Sequence, residues 1–255
     1  MGVLNVTPDS FSDGGRWLDP DAAVAHGLRM VEEGADVVDV GGESTRPGAD
    51  PVPLDEELRR VLPVVEALTP HVRVSIDTRK AGVAEAAIAA GATLVNDVSA
   101  SLAPVAAAAG KGVGWVAMHM QGDPRTMQRE PTYADVVAEV REFLVERASN
   151  AGVDEVWIDP GIGFGKTMEH NLALLAHLDE LVATGFPVVV GTSRKSFLGR
   201  LTGNAPTEDR LEASVATAAW ALAQGAAMVR VHDVRPTVEA ARLLVTTPLP
   251  GGTGE

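Results

Sequence analysis

Two hydrophobic patterns take turns along this chain. Short, nearly continuous apolar runs lie at 2–6, 36–40, 72–76, 93–95, 115–118, 156–158, 187–190 and 228–231. Between them are longer stretches in which apolar residues return at helical spacing: 21–33, 54–68, 81–90, 102–109, 133–151, 172–184, 211–224 and 234–245. The first kind reads as strands buried on both faces, the second as amphipathic helices. In 21–33, Ala22, Val24, Ala25, Leu28 and Val31 set the period, Asp19 or Asp21 supplies an N-cap and Gly34 a stop. The helix over 133–151 is the longest expected. Strand then helix, repeated eight times, predicts a single α/β domain, a (β/α)8 TIM barrel over 1–246, with 247–255 as a disordered tail. An open doubly wound sheet competes, but it seldom repeats its unit so evenly, and no linker interrupts the pattern.

Where the apolar runs stop, polar residues begin. In 156–167, VWIDPGIGFGKT, the run Val156-Trp157-Ile158 ends abruptly in Asp159, and Pro160-Gly161 forbid the strand to continue. The same stretch brushes two nucleotide motifs and fails both: a P-loop needs glycine where Pro160 stands, and a dinucleotide fingerprint needs it where Lys166 stands. Along the whole chain the strand ends deliver Asn5, Thr45 with Arg46, Asp77, Asn96, His119, Asp159, Lys195, and Arg230 with His232. In a β/α barrel these would meet at the C-terminal rim. A strand-end aspartate alone is usually a turn or cap residue, the reading kept for Asp97, and a lone histidine is more often core than ligand. Independent turn chemistry would rarely supply such a residue at every strand.

These residues sort into two kinds of chemistry. Asp77, Asn96 and Asp159 are acceptors suited to a flat heterocycle with amino and ring N–H groups, because a carboxylate accepts two parallel N–H bonds. Arg46, Lys195, Arg230 and His232 gather positive charge, as a phosphate-bearing ligand requires. Asn5 and Asp9 offer hard oxygen atoms for Mg²⁺. A planar heterocycle carrying a diphosphate follows from the residues; the reaction does not.

Composition narrows the partners. The net charge of −14 over 255 residues argues against nucleic acid, and makes a local cluster of cations more telling. No cysteine occurs, which excludes disulfides and thiolate chemistry and fits a reducing, cytoplasmic setting. The segment MGVLNVTPDS lacks the basic and apolar regions of a signal peptide, Val6 breaks a myristoylation pattern, and every apolar run is far short of a membrane span.

The stretches MGVLNVTPDSFSDGG, VDVGGESTRPGA, VSIDTRK, LVNDVSA, MHMQGDPRTMQ, IDPGIGFGKTMEHN, VVVGTSRKSFLG and VRVHDVR resemble, in order, the successive motifs of the dihydropteroate synthase family. That resemblance implies a transferase of folate biosynthesis, a sulfonamide target, joining a pterin-methyl group to the arylamine p-aminobenzoate. It implies that Asp77, Asn96, Asp159, Lys195, Met118 and Gly191 hold the pterin, with Arg230 stacking on its face. The diphosphate would lie against Thr45, Arg46, Arg230 and His232, and against Asn5 through Mg²⁺; Phe11, Pro47, Phe164 and Ser196 would shape the p-aminobenzoate pocket. Asp9, Asp77 and Lys195 are the implied catalytic residues, and the family is usually a homodimer. Members usually carry residues ahead of the first strand that cover the barrel floor, whereas here the strand begins almost at once, which bears on stability more than on chemistry.

Two rival readings stay open at this level. A pterin-dependent methyltransferase barrel would share the pterin-holding residues but has no use for a diphosphate site, and a non-catalytic paralogue would keep the barrel and lose its loops. The loops 7–16 and 45–53, rich in Gly, Ser, Pro and Asp, are expected to order only when ligand arrives.

Overall fold

The structure, a computed structural model, describes residues 1–7, 19–44 and 49–246, and side chains as far as residue 244. Asp9, Phe11, Thr45, Arg46, Pro47 and the tail 247–255 therefore lie outside the described residues. Strands β1 Gly2–Asn5, β2 Val37–Gly41, β3 Arg73–Asp77, β4 Leu94–Asp97, β5 Gly114–Met118 and β6 Val156–Asp159 pair in parallel, each with its sequence neighbour. Strands β7 Val189–Val190 and β8 Met228–Val229 form a second parallel pair. Parallel bridges Ile158↔Val188 and Gly2↔Val231 join the two sets. There the amide of Ile158 donates to Pro187 O at 3.0 Å and that of Val3 to Val231 O at 2.9 Å. The strands thus run round an eight-stranded parallel barrel, as the alternation predicts.

The helices are α1 Pro20–Glu32, α2 Leu54–Leu68, α3 Ala81–Ala89, α4 Ala103–Ala109, α5 Val136–Ser149, α6 Met168–Ala176, α7 Leu178–Val182, α8 Ser196–Leu201, α9 Leu211–Ala223 and α10 Val234–Thr246. Asp19 is the cap of α1, accepting from the amides of Asp21 and Ala22. Three expectations change. The helix over 133–151 starts only at Val136, because Asp135 caps it by accepting from Val137 and Ala138; at 14 residues it is shorter than α2, with 15. The single helix over 172–184 is two: Thr167 and His170 cap each other's backbone and start α6 early, and His177, at φ −112° and ψ 35°, breaks it before α7. Helix α8, a short segment that buries Phe197 and Leu198, has too few residues to show a period.

Alternation within the strands places the site. Met1, Val37, Leu94, Val116 and Val189, with Trp157 and Met228 against them, form one apolar layer. Their neighbours of opposite parity, among them Leu4, Val38, Val40, Val95, Trp115, Ala117 and Ile158, belong to the core that includes the helices. The first layer is therefore the floor of the barrel interior. Two residues further along each strand the same inward parity delivers Asp39, Asn96, Met118, Asp159, Gly191 and Arg230, and along β1 and β3 Asn5 and Asp77.

Candidate active site

At the centre of the rim a guanidinium joins two strands across the barrel. Arg230 donates through Nε to Asp39 Oδ2 and through Nη2 to Asp77 Oδ2, each at 2.6 Å. Asn96 Nδ2 donates to the same Asp39 oxygen at 2.9 Å, an arrangement that leaves its Oδ1 as an acceptor. Burial pushes the Asp77 carboxyl up to about 7, against the pull of Arg230. Burial also works against the Arg230 charge, yet Asp39 and Asp77 together hold it above the ordinary guanidinium range. The second oxygens, Asp39 Oδ1 and Asp77 Oδ1, are buried and have no partner among the described residues. Such an orphaned acceptor costs about 1–3 kcal/mol, which a ligand N–H would recover.

Asp159, 5% exposed, accepts from the amide of Gly161 at 2.7 Å, a partner the sequence did not reveal. Burial raises its carboxyl, and the Lys195 ammonium offsets part of that rise. Lys195 donates to the Ile162 carbonyl, and its Nζ stands 4.8 Å from the centroid of the Phe164 ring. Burial pulls this amine down to about 8, with Asp159 working in the opposite direction. A Cβ on Gly191 would lie 3.7 Å from Arg230 Cβ and 3.8 Å from Lys195 Nζ, so Gly191 packs against both the Arg230 and Lys195 side chains. Met118 is buried beside this group, and Ser196 opens α8 immediately after Lys195.

Two side-chain clamps hold the rim in shape. Arg194, at φ 58°, grips Asp233 through Nε at 2.9 Å and Nη2 at 2.6 Å, tying the residues before Lys195 to those after His232. His232 in turn donates its backbone amide to Ser193 Oγ and meets the same oxygen through ring Nδ1, both at 3.1 Å. On the other side, Lys80 bridges Glu43 and Glu57, Thr78 Oγ1 donates to Glu57 at 2.7 Å, and Val52 N donates to Glu43 Oε2 at 2.7 Å. This network joins Glu43 and Val52 to α2 and to the residues after β3.

One strand end does not contribute. His119 has outward parity and packs edge-on against Phe143 of α5 at 5.0 Å, with its pKa lowered to about 3 by burial and by Lys166. It is a core residue. Asp97 is likewise a cap: it accepts from the amides of Ser99, Ser101 and Leu102 and from Trp115 Nε1. Asp39 was missed altogether, although an aspartate inside DVVDV, flanked by valines, is the signal that would have found it.

The profile of the family described as "Pterin binding enzyme" matches residues 1–232. The dihydropteroate synthase of Mycobacterium leprae is 52% identical over 265 residues, covering 96% of this chain and 91% of that protein. The chain belongs to the dihydropteroate synthase family. Among solved synthases, that of Yersinia pestis with a sulfonamide drug superposes with a TM-score of 0.88 at 47% identity, covering 96% of this chain and 92% of that one. The Xanthomonas albilineans synthase in complex with 7,8-dihydropteroate gives 0.84 at 46% identity, covering 97% and 93%. A dihydropteroate synthase therefore brings Asp77, Asn96, Asp159, Lys195 and Arg230 together on one rim here, and leaves His119 behind it.

Proposed function

We propose that this rim divides the synthase reaction between a floor that reads the pterin and loops that take the leaving group. The protein condenses 6-hydroxymethyl-7,8-dihydropterin diphosphate with p-aminobenzoate, giving 7,8-dihydropteroate and diphosphate. The orphaned, buried oxygens beside Arg230 carry the pterin reading, because they are acceptors waiting for N–H donors. Asp77 and Asp159 accept from the heterocycle, Asn96 presents Oδ1, and Lys195 and Arg230 flank the ring with Met118 and Gly191. Thr45, Arg46, Arg230 and His232 take the diphosphate, while Phe164 and Ser196, with Phe11 and Pro47, shape the p-aminobenzoate pocket.

Diphosphate leaves from a carbon attached to an electron-rich ring, so positive charge develops on the pterin methylene. The C–O bond breaks, the arylamine nitrogen forms the new C–N bond, and its proton is released. Asp77, with Asp9, opposes that charge electrostatically, and no protein nucleophile is required. Asn5, at the inward end of β1, offers an amide oxygen of the kind a hard cation accepts, so the donor fits Mg²⁺. When bound, Mg²⁺ supplies charge neutralisation for the departing diphosphate.

We also read the protein as a cytoplasmic homodimer that takes small-molecule substrates; among the described residues no helix is long and apolar enough to cross a membrane. Mixing the protein with Mg²⁺, the pterin diphosphate and p-aminobenzoate should yield dihydropteroate. Tight pterin binding with no product would instead favour a non-catalytic paralogue.

A further inference from the structure

We infer that Lys166 is a positioning residue for the arylamine: its buried amine holds the loop 161–165 in the shape that presents Phe164 to the reaction. The inference rests on the assignment of Phe164 to the p-aminobenzoate pocket.

Lys166 is 3% exposed. Its Nζ meets His119 Nδ1 at 2.9 Å and the carbonyls of Phe164 at 3.0 Å, Gly161 at 3.1 Å and His119 at 3.3 Å. None of these partners is a carboxylate. Burying an amine without a counter-ion in contact is costly and pulls Lys166 down to about 7, and a plain core position would be filled more cheaply by methionine or leucine. Its N–H donors are spent on the backbone carbonyls of His119, Gly161 and Phe164. His119 serves as an acceptor, so its imidazole is neutral, in keeping with its low pKa.

The rest of the loop is tied in the same way. Lys195 takes the Ile162 carbonyl, Gln128 the Gly163 carbonyl at 2.6 Å, and Tyr133 the Gly165 carbonyl at 2.8 Å. Every carbonyl from 161 to 165 is therefore capped by a side chain from elsewhere. Gly161, Gly163 and Gly165 all have positive φ, and a Cβ at 161 would stand 1.9 Å from His119 O. Lys195 grips the loop from the substrate side and Lys166 from the core side, with Phe164 between them. Asp77 and Asn96 stand on β3 and β4, away from this loop, while Asp159 meets it through the Gly161 amide, at the end nearest β6.

The test compares Lys166→Met, Lys166→Gln, Phe164→Ala and the Lys166→Met/Phe164→Ala double variant. Lys166→Met should raise the KM for p-aminobenzoate about tenfold, leave pterin affinity within about twofold, and have almost no further effect once Phe164 is alanine. Lys166→Gln, which keeps donors for the carbonyls, should recover part of the loss; if the methionine variant does not fold, the same split is read in the glutamine variant. Equal losses for both substrates, or an unchanged KM for p-aminobenzoate, overturns the inference. An unchanged KM in Phe164→Ala alone overturns the pocket assignment instead.

Discussion

Asp159 shows how much one side chain at this rim is asked to do. It is buried, its pKa is raised, and its carboxylate accepts from the Gly161 amide. Asp159→Asn keeps the shape and removes the charge, so pterin affinity should fall about tenfold to a hundredfold while the fold survives. Calorimetry and a thermal melt would read the two separately; wild-type affinity sinks the assignment, and an unfolded variant makes Asp159 structural. Lys195 carries a pH signature. Its folded pKa of about 8 lies below the usual 10.5, so its stability contribution is present above pH 10.5 and lost as pH falls through 8. Activity should run the other way, since the ammonium that faces the pterin disappears above pH 8. A KM for the pterin substrate that stays flat from pH 7 to 9.5 would contradict this.

At the scale of elements, the alternation of strand and helix was legible, because both periods are local properties of the chain. The exit from β6 was legible too, since Pro160 and Gly161 punctuate openly. What stayed hidden depends on distance. Asp39 matters only because Arg230, 191 residues away, folds onto it, and Glu57 looks like one acid of an ordinary first turn until Thr78 and Lys80 close on it. Lys166 read only as part of a stretch that fails two nucleotide motifs. On the proposed reading the loops 7–16 and 45–53 bear on the order of binding, since it gives Asp9, Thr45 and Arg46 partners with the diphosphate, and Phe11 and Pro47 lie in the same loops. p-Aminobenzoate should bind negligibly to the free enzyme and measurably once Mg²⁺ and diphosphate are present. Equal affinity in the two titrations would mean a preformed pocket.

On the whole molecule, apolar surface remains on the helical shell. Trp220 of α9 is 49% exposed and leans over α6, donating Nε1 to Leu175 O at 3.0 Å; Leu172, also on α6, is 37% exposed. Leu243 of α10 is 67% exposed. Residues of this size left in solvent suit a second copy. Light scattering should report twice the chain mass of 26.5 kDa, and Trp220→Glu should return it to one chain. A single-chain mass for the wild type across a concentration series sinks the pairing. The Asp39–Arg230–Asp77 linkage has a consequence for lineages as well as molecules. Losing one partner of such a buried pair costs about 3–5 kcal/mol, a large part of the roughly 5–15 kcal/mol that keeps a domain folded. Three codons scattered from 39 to 230 are thus coupled, and a single step at any one of them removes a large share of the stability margin. Under selection by a compound seated on the pterin floor, heritable escape should collect in the loops around it, where one change at a time can be tolerated.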